Sequence, residues 1–183
     1  MEEMRKSLGV SSNQSVIDLL EKLKKHGLIK RGSGARSLAI LPLGHKVLGV
    51  SPLAPFLGVA AAGAPIEAVA IAGEWRTVSP EVAELKDEVF LLKISGDSMV
   101  NANIDDGDVI LVQRKKEFIS NEIVYAQFGE EGTVKRFISE DKPPYVYLKP
   151  ENPKYENILF DETVELKGKV ISVLKNGHWQ PVK

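Results

Sequence analysis

From Phe90 onward the chain is a series of short apolar runs, each closed by turn residues. The runs are Phe90–Ile94, Val109–Gln113, Ile123–Gln127, Thr133–Ile138, Tyr145–Lys149 and Val170–Leu174. Between them lie "NANIDDGD", "GEEG", "EDKPP" and "KNGH", rich in the Gly, Asn, Asp and Pro that favour tight reversals. No long amphipathic helical period interrupts the series. Many short strands without such a helix predict a compact domain of strongly bent antiparallel sheets.

The first 41 residues follow a different pattern. "SSNQSVIDLLEKLKKHG" places Val16, Leu19, Leu20 and Leu23 at helical spacing, with Ser11 or Ser12 as N-cap and Gly27 as the stop. A shorter helix-compatible stretch, Glu2 to Leu8, precedes it and ends at Gly9. Two β-prone pieces, Leu28–Arg31 and Ser37–Leu41, flank a basic Gly-rich turn. Helix, turn, longer helix and basic hairpin is the layout of a winged helix-turn-helix. "LPLGHKVLGVSPLAPF" is rich in Pro and Gly and reads as a linker. The expected fold is therefore α+β in two domains: a partial winged helix-turn-helix over 1–41, a linker over 42–56 and a mostly β domain over 57–183.

Charge divides along the same line. Residues 1–50 hold nine Lys/Arg against four acids, which leaves +5; the remaining 15 basic and 21 acidic residues leave −6. A basic small module on an acidic larger one suggests a polyanion-binding element joined to a domain of another kind. With 43% hydrophobic residues the chain can bury a core. It has no apolar signal segment and no run long enough to span a bilayer, so a soluble cytoplasmic protein is expected.

The absence of cysteine excludes disulfide scaffolds, thiol nucleophiles and thiolate zinc sites. The three histidines, His26, His45 and His178, are scattered and none lies in the β region beside a carboxylate strand. "DDGD" at Asp105–Asp108 is the only dense acidic cluster, and its glycine between two strands favours a turn over a metal site. No metal or cofactor is expected. What remains is Ser98 in "SGDSM", a hydroxyl at the end of a turn. A serine can be activated by a neutral lysine. Free lysine has a pKa near ~10.4, so its neutral form at pH 7 costs about 4–5 kcal/mol in water. Burial lowers that cost. Two strand lysines qualify, Lys135 in "TVKRFI" and Lys93 in "FLLKIS", and periodicity does not choose between them. On strand alternation Lys135 shares a face with Thr133 and Phe137. Asp97, next to Ser98, has to point away from the amine, because a carboxylate there would hold its proton. Finally, "FLGVAAAGAPIEAVAIAG" is too apolar for a flexible linker. Its Ala62–Gly63 bond has minimal side chains, as a narrow cleft would require.

Together "VAAAGAP", "FLLKISGDSM", "DGDVILV", "TVKRF", "LKPENPKYENILF" and "GKVISVLKNG" resemble the self-cleaving Ser-Lys family of LexA-type repressors, UmuD and prophage repressors. The likeness covers nearly all of residues 56–183. Residues 1–41, through "SLGVSSNQSVIDLLEKLKKHGLIKRGSGARSLAIL", look like the second and third helices and the wing of the family's DNA-binding module, so the first helix is expected to be lacking. The resemblance implies Ser98 as nucleophile, Lys135 as general base and Ala62–Gly63 as the self-cleaved bond. It implies DNA-facing positions at Ser12, Gln14, Ser15 and Asp18, with Arg36 in the wing. It further implies double-stranded operator DNA, a RecA–single-stranded-DNA filament as co-protease, and a homodimer through the C-terminal domain. The expected function is a repressor of DNA-damage genes inactivated by intramolecular cleavage. The alternatives are a prophage-type repressor, a UmuD-like accessory factor of a translesion polymerase, and a signal-peptidase-like enzyme acting on other chains.

Overall fold

The computed structural model describes residues 2–31, 38–61, 66–67, 75–78, 82, 84–129 and 131–182. Two compact units divide the chain, one built from residues 1–53 and 79–88, the other from 54–78 and 89–183.

In the first unit, α1 (Glu2–Leu8) ends at Gly9, whose φ of +64° is accessible to glycine at little cost. α2 (Asn13–Lys25) starts at Ser12, whose Oγ accepts the Ser15 N–H at 3.0 Å. β1 (Ile29–Arg31) and β2 (Leu38–Ile40) pair antiparallel. Of the expected apolar stripe only Val16 is buried; Leu20 and Leu23 are half-covered and Leu19 is 37% exposed.

The segment expected to be a linker is largely structured. Pro42–Val47 forms a helix, α3, with Pro42 in its first turn, where a missing N–H costs nothing. Leu41 is buried and donates its N–H to Leu28 O at 2.9 Å. Gly44 lies so close to Leu28 that a Cβ there would meet its carbonyl oxygen at 2.2 Å. Leu43 N–H reaches Leu85 O at 3.2 Å, and Lys30 pairs with Glu88 at 2.7 Å, so residues 84–88 return to this unit. The Pro and Gly that suggest flexibility here serve a helix start and a close approach. The division between the two compact units falls at 53/54, inside the stretch 42–56.

The second unit is mostly β. Its strands are β3 (Leu53–Ala61), β4 (Ile66–Glu67), β5 (Trp75–Thr77), β6 (Val89–Ser95), β7 (Val109–Gln113), β8 (Ile123–Phe128), β9 (Glu131–Ser139), β10 (Val146–Lys149), β11 (Ile158–Leu159), β12 (Val164–Lys175) and β13 (His178–Pro181). Among the described residues their order is β11-β10-β9-β8-β12-β7-β6-β3-β5, and a β3–β9 pairing closes the path from β9 round to β3. The bent antiparallel sheet is therefore a closed ring, which removes edges along that path. One strand departs from expectation: β3 runs parallel to both β6 and β9.

β8 explains where the core lies. Ile123 and Tyr125 belong to one cluster, with Leu92, Ile94, Met99, Ile110 and Val134. Val124 and Ala126 belong to another, with Leu148 and Val164. Alternate residues of one strand thus feed two cores on opposite faces. Each fully buried aliphatic side chain in them contributes about 1.5–3 kcal/mol of transfer free energy.

Candidate active site

Ser98 stands in the turn that leaves β6. Gly96 opens that turn at φ +103°, a conformation few other residues adopt. The "DDGD" cluster is a turn that braces it. Gly107 N–H donates to Ile94 O at 2.9 Å and Asp106 Oδ1 accepts the Gly96 N–H at 2.7 Å. Asp105 and Asp108 both pair with Lys175.

Ser98 is fully buried, and its Oγ lies 2.8 Å from Lys135 Nζ. The same Nζ is 2.9 Å from Thr133 Oγ1 and 3.0 Å from Val134 O. β9 places this amine through register. Lys135 lies across from Val124 and Thr133 across from Ala126, so the lysine rises from the face carrying the second apolar cluster. Only 2% of Lys135 is exposed. Burial lowers its pKa from 10.5 to about 8. At pH 7 about one such lysine in ten is neutral, and presenting the amine costs about 1.4 kcal/mol. A neutral amine has two N–H groups and one lone pair. With Thr133 Oγ1 and Val134 O accepting the two N–H groups, the lone pair is left facing the Ser98 hydroxyl. The arrangement can therefore remove a proton from Ser98.

Asp97 turns the other way. Its carboxylate accepts from Tyr155 Oη and, at 3.1 Å, from Asn152 Nδ2, and Lys154 lies 3.6 Å away. The Tyr155 hydrogen bond, helped by Lys154, holds its pKa below the usual carboxylate value. Lys93, the competing lysine, is exposed on β6. His26 caps the end of α2, His45 is buried in α3, and His178 pairs with Lys175 at the start of β13.

The chain on either side of the expected cleavage bond is held at this site. Ala61 pairs with both Ser95 and Thr133, and Ile66 pairs with Gly132. Ala62 and Gly63 themselves lie outside the described residues, as does Arg36. In the first unit Ser12, at the N-cap, and Gln14, Ser15 and Asp18, on α2, are all exposed. Ser12 Oγ is 2.9 Å from Ser15 Oγ, and Gln14 Nε2 donates to Asp18 Oδ1 at 2.8 Å.

Sequence reasoning assigned no role to Thr133 beyond a shared face, nor any to Asn152 and Tyr155. The Asn-Pro turn in "PENPKY" was the available signal for the last two. No spacing rule ties it to a turn more than fifty residues upstream.

The Peptidase S24-like family profile matches residues 55–171. The LexA repressor of Enterococcus faecalis is 36% identical over 177 residues, covering 95% of this chain and 83% of that protein. The LexA repressor of Clostridium novyi is 37% identical over 177 residues, covering 94% and 84%. LexA repressor 1 of Nocardia farcinica is 38% identical over 175 residues, covering 92% and 79%.

Proposed function

The chain belongs to the LexA repressor family and carries its Peptidase S24-like domain, and we propose that it is a transcriptional repressor of DNA-damage genes that inactivates itself by intramolecular cleavage. The observation that carries the chemistry is the buried Lys135 amine 2.8 Å from Ser98 Oγ.

Lys135 Nζ takes the Ser98 proton as Oγ attacks the Ala62 carbonyl carbon. The resulting oxyanion is stabilised by backbone N–H groups of the Ser98 turn. The Lys135 ammonium then gives its proton to the Gly63 nitrogen, and the Ala62–Gly63 bond breaks. Water, deprotonated by the same amine, releases the acyl group from Ser98. Tethering supplies a high effective concentration of the bond, and this replaces substrate affinity. The pairings of Ala61 and Ile66 support a docked cleavage segment. Regulation is then a population shift between docked and undocked forms, which an activated RecA–single-stranded-DNA filament biases toward docking.

α2 acts as the recognition helix, with Ser12, Gln14, Ser15 and Asp18 toward operator DNA, and the β1–β2 hairpin acts as the wing carrying Arg36. The basic end of α2, with Lys22, Lys24 and Lys25, suits phosphate contact and favours a repressor over a polymerase accessory factor. A homodimer through the second unit pairs two half-sites. Cleavage at Ala62–Gly63 removes the affinity that linkage provides. No helix among the described residues is long and apolar enough to cross a membrane.

The test is to incubate the purified chain at rising pH and weigh the fragments. The expected cut is at Ala62–Gly63, at a rate independent of protein concentration and absent in Ser98→Ala. A rate that scales with concentration, or an uncut chain near pH 10, contradicts self-cleavage.

A further inference from the structure

The segment Glu151–Tyr155 straps the serine turn to the lysine strand. Asn101 N–H donates to Glu151 O at 3.0 Å, while the Glu151 carboxylate pairs with Arg136, the residue after Lys135. Asn152 is the centre of the strap. It is only 5% exposed, and its Nδ2 donates to Asp97 O at 2.9 Å and to Asp97 Oδ2 at 3.1 Å. Its Oδ1 accepts the Lys154 N–H at 3.1 Å, so both ends of the amide are engaged and its orientation is fixed.

The contact with Asp97 O bears directly on chemistry. That carbonyl belongs to the peptide whose nitrogen is Ser98 N. It accepts from Asn152 Nδ2 on the strap and from Val100 N–H within the turn at 3.3 Å. In a trans peptide the C=O and N–H point in opposite directions. Two donors holding the carbonyl therefore aim the Ser98 N–H away from the strap. Val100 supplies a long local bond that any such turn makes. Asn152 supplies the shorter one, from a buried side chain on a different loop.

We propose that Asn152 is a positioning residue for cleavage: by holding the Asp97 carbonyl it sets the plane of the Asp97–Ser98 peptide, and so aims the Ser98 N–H at the oxyanion. This rests on the reading of Ser98 as nucleophile and Lys135 as base. The hydrogen bonds of Asn152 run to Asp97 and Lys154, not to Lys135. Its loss lowers the rate at which a docked, deprotonated enzyme reacts, and leaves unchanged the pH at which Lys135 deprotonates.

The experiment is a pH–rate profile of self-cleavage for the full chain, with melting curves for each protein. Ser98→Ala, Asn152→Ala, Asn152→Asp and Tyr155→Phe are compared with the parent. Asn152→Asp keeps the side-chain size and the acceptor for Lys154 N–H, and it is read if Asn152→Ala does not fold. The expected result is no cleavage in Ser98→Ala. Both Asn152 variants lose about 10²-fold in the high-pH plateau, with the midpoint still near 8. Tyr155→Phe, which removes a contact to the Asp97 carboxylate but none to its carbonyl, keeps the plateau within about threefold. A parental plateau in a folded Asn152 variant, with Ser98→Ala inactive, overturns this proposal alone. So does a slow variant whose midpoint has risen toward the ordinary lysine value, because that reports a loosened lysine pocket. Parental cleavage in Ser98→Ala overturns the underlying reading.

Discussion

β6 and β9 each carry a lysine in an apolar strand, and each pairs with β3, yet the two lysines lie in different surroundings. Lys93 lies across from half-buried Val109 and is exposed. Lys135 lies across from Val124, which is fully buried, and two residues from Phe137, which packs on the second cluster. Alternation treats the two lysines alike. What separates them is cover. β10 continues the sheet beyond β9, pairing Leu148 with Phe137, and both side chains belong to the apolar cluster on the face from which Lys135 rises. One strand lysine is buried and the other is exposed through what packs over each face, a property of the tertiary fold.

The largest effect that tests this contrast is on rate. Lys135→Ala should lower self-cleavage by about 10²–10⁴-fold, the range for losing a positioned base, while Lys93→Ala stays near the parental rate. Fragment masses followed over time at pH 8 to 10 measure both. Equal losses would erase the distinction between the two strands.

The next effect is on stability. A lysine whose folded pKa is about 8 against 10.5 binds fewer protons folded than unfolded over that interval. Unfolding therefore takes up protons there, and stability rises with pH through the same window. The gain, complete above the unfolded value, is about 3 kcal/mol. Denaturant melts of Ser98→Ala, which cannot cut itself, should show a rise from pH 7 to 10 that Ser98→Ala/Lys135→Met lacks.

A smaller effect comes from the cover itself. Val124→Thr keeps the shape and sets a hydroxyl across from Lys135. It should cost about 1–3 kcal/mol of stability and move the cleavage midpoint upward by easing desolvation. The matching change at Val109, across from Lys93, should leave the midpoint unmoved.

Thr133→Val should have the smallest effect. The ammonium donates more strongly than the amine, so removing its Thr133 Oγ1 acceptor lowers the midpoint slightly. The amine also loses one of its three fixed contacts, and the plateau should fall about tenfold. The pH–rate profile separates the two effects.

Much of this was legible in the sequence because it is local. Ser12 and Gly27 bound α2 as capping chemistry requires, and Val109–Gln113 is a strand with the limits its apolar run suggests. The parts that were not legible depend on partners far along the chain. α3 was hidden because Pro42 and Gly44 look like linker residues until Leu28 and Leu85 are beside them. The first half of β12 was missed because "VELKGK" alternates charge with small or apolar residues. Gly168 there permits a bend against Gln113, whose carbonyl oxygen a Cβ would meet at 2.5 Å. The parallel pairing of β3 has no sequence period. At the site, exclusion of other chemistries narrowed the base for Ser98 to a lysine. The burial that distinguishes Lys135, at 2% exposure, from exposed Lys93 is a tertiary property with no period in the sequence. Asn152 signalled only the Asn-Pro turn of "PENPKY", since its contact spans from residue 152 back to Asp97.

The most direct test of the account is the titration of Lys135 itself. Lysine side-chain NMR on the Ser98→Ala chain, labelled at Cε or Nζ, reports each amine without self-cleavage. The account predicts one lysine titrating near 8, its signal absent in Ser98→Ala/Lys135→Met. If every lysine kept its proton to pH 10, Lys135 could not serve as the base for Ser98, and the central claim would fail.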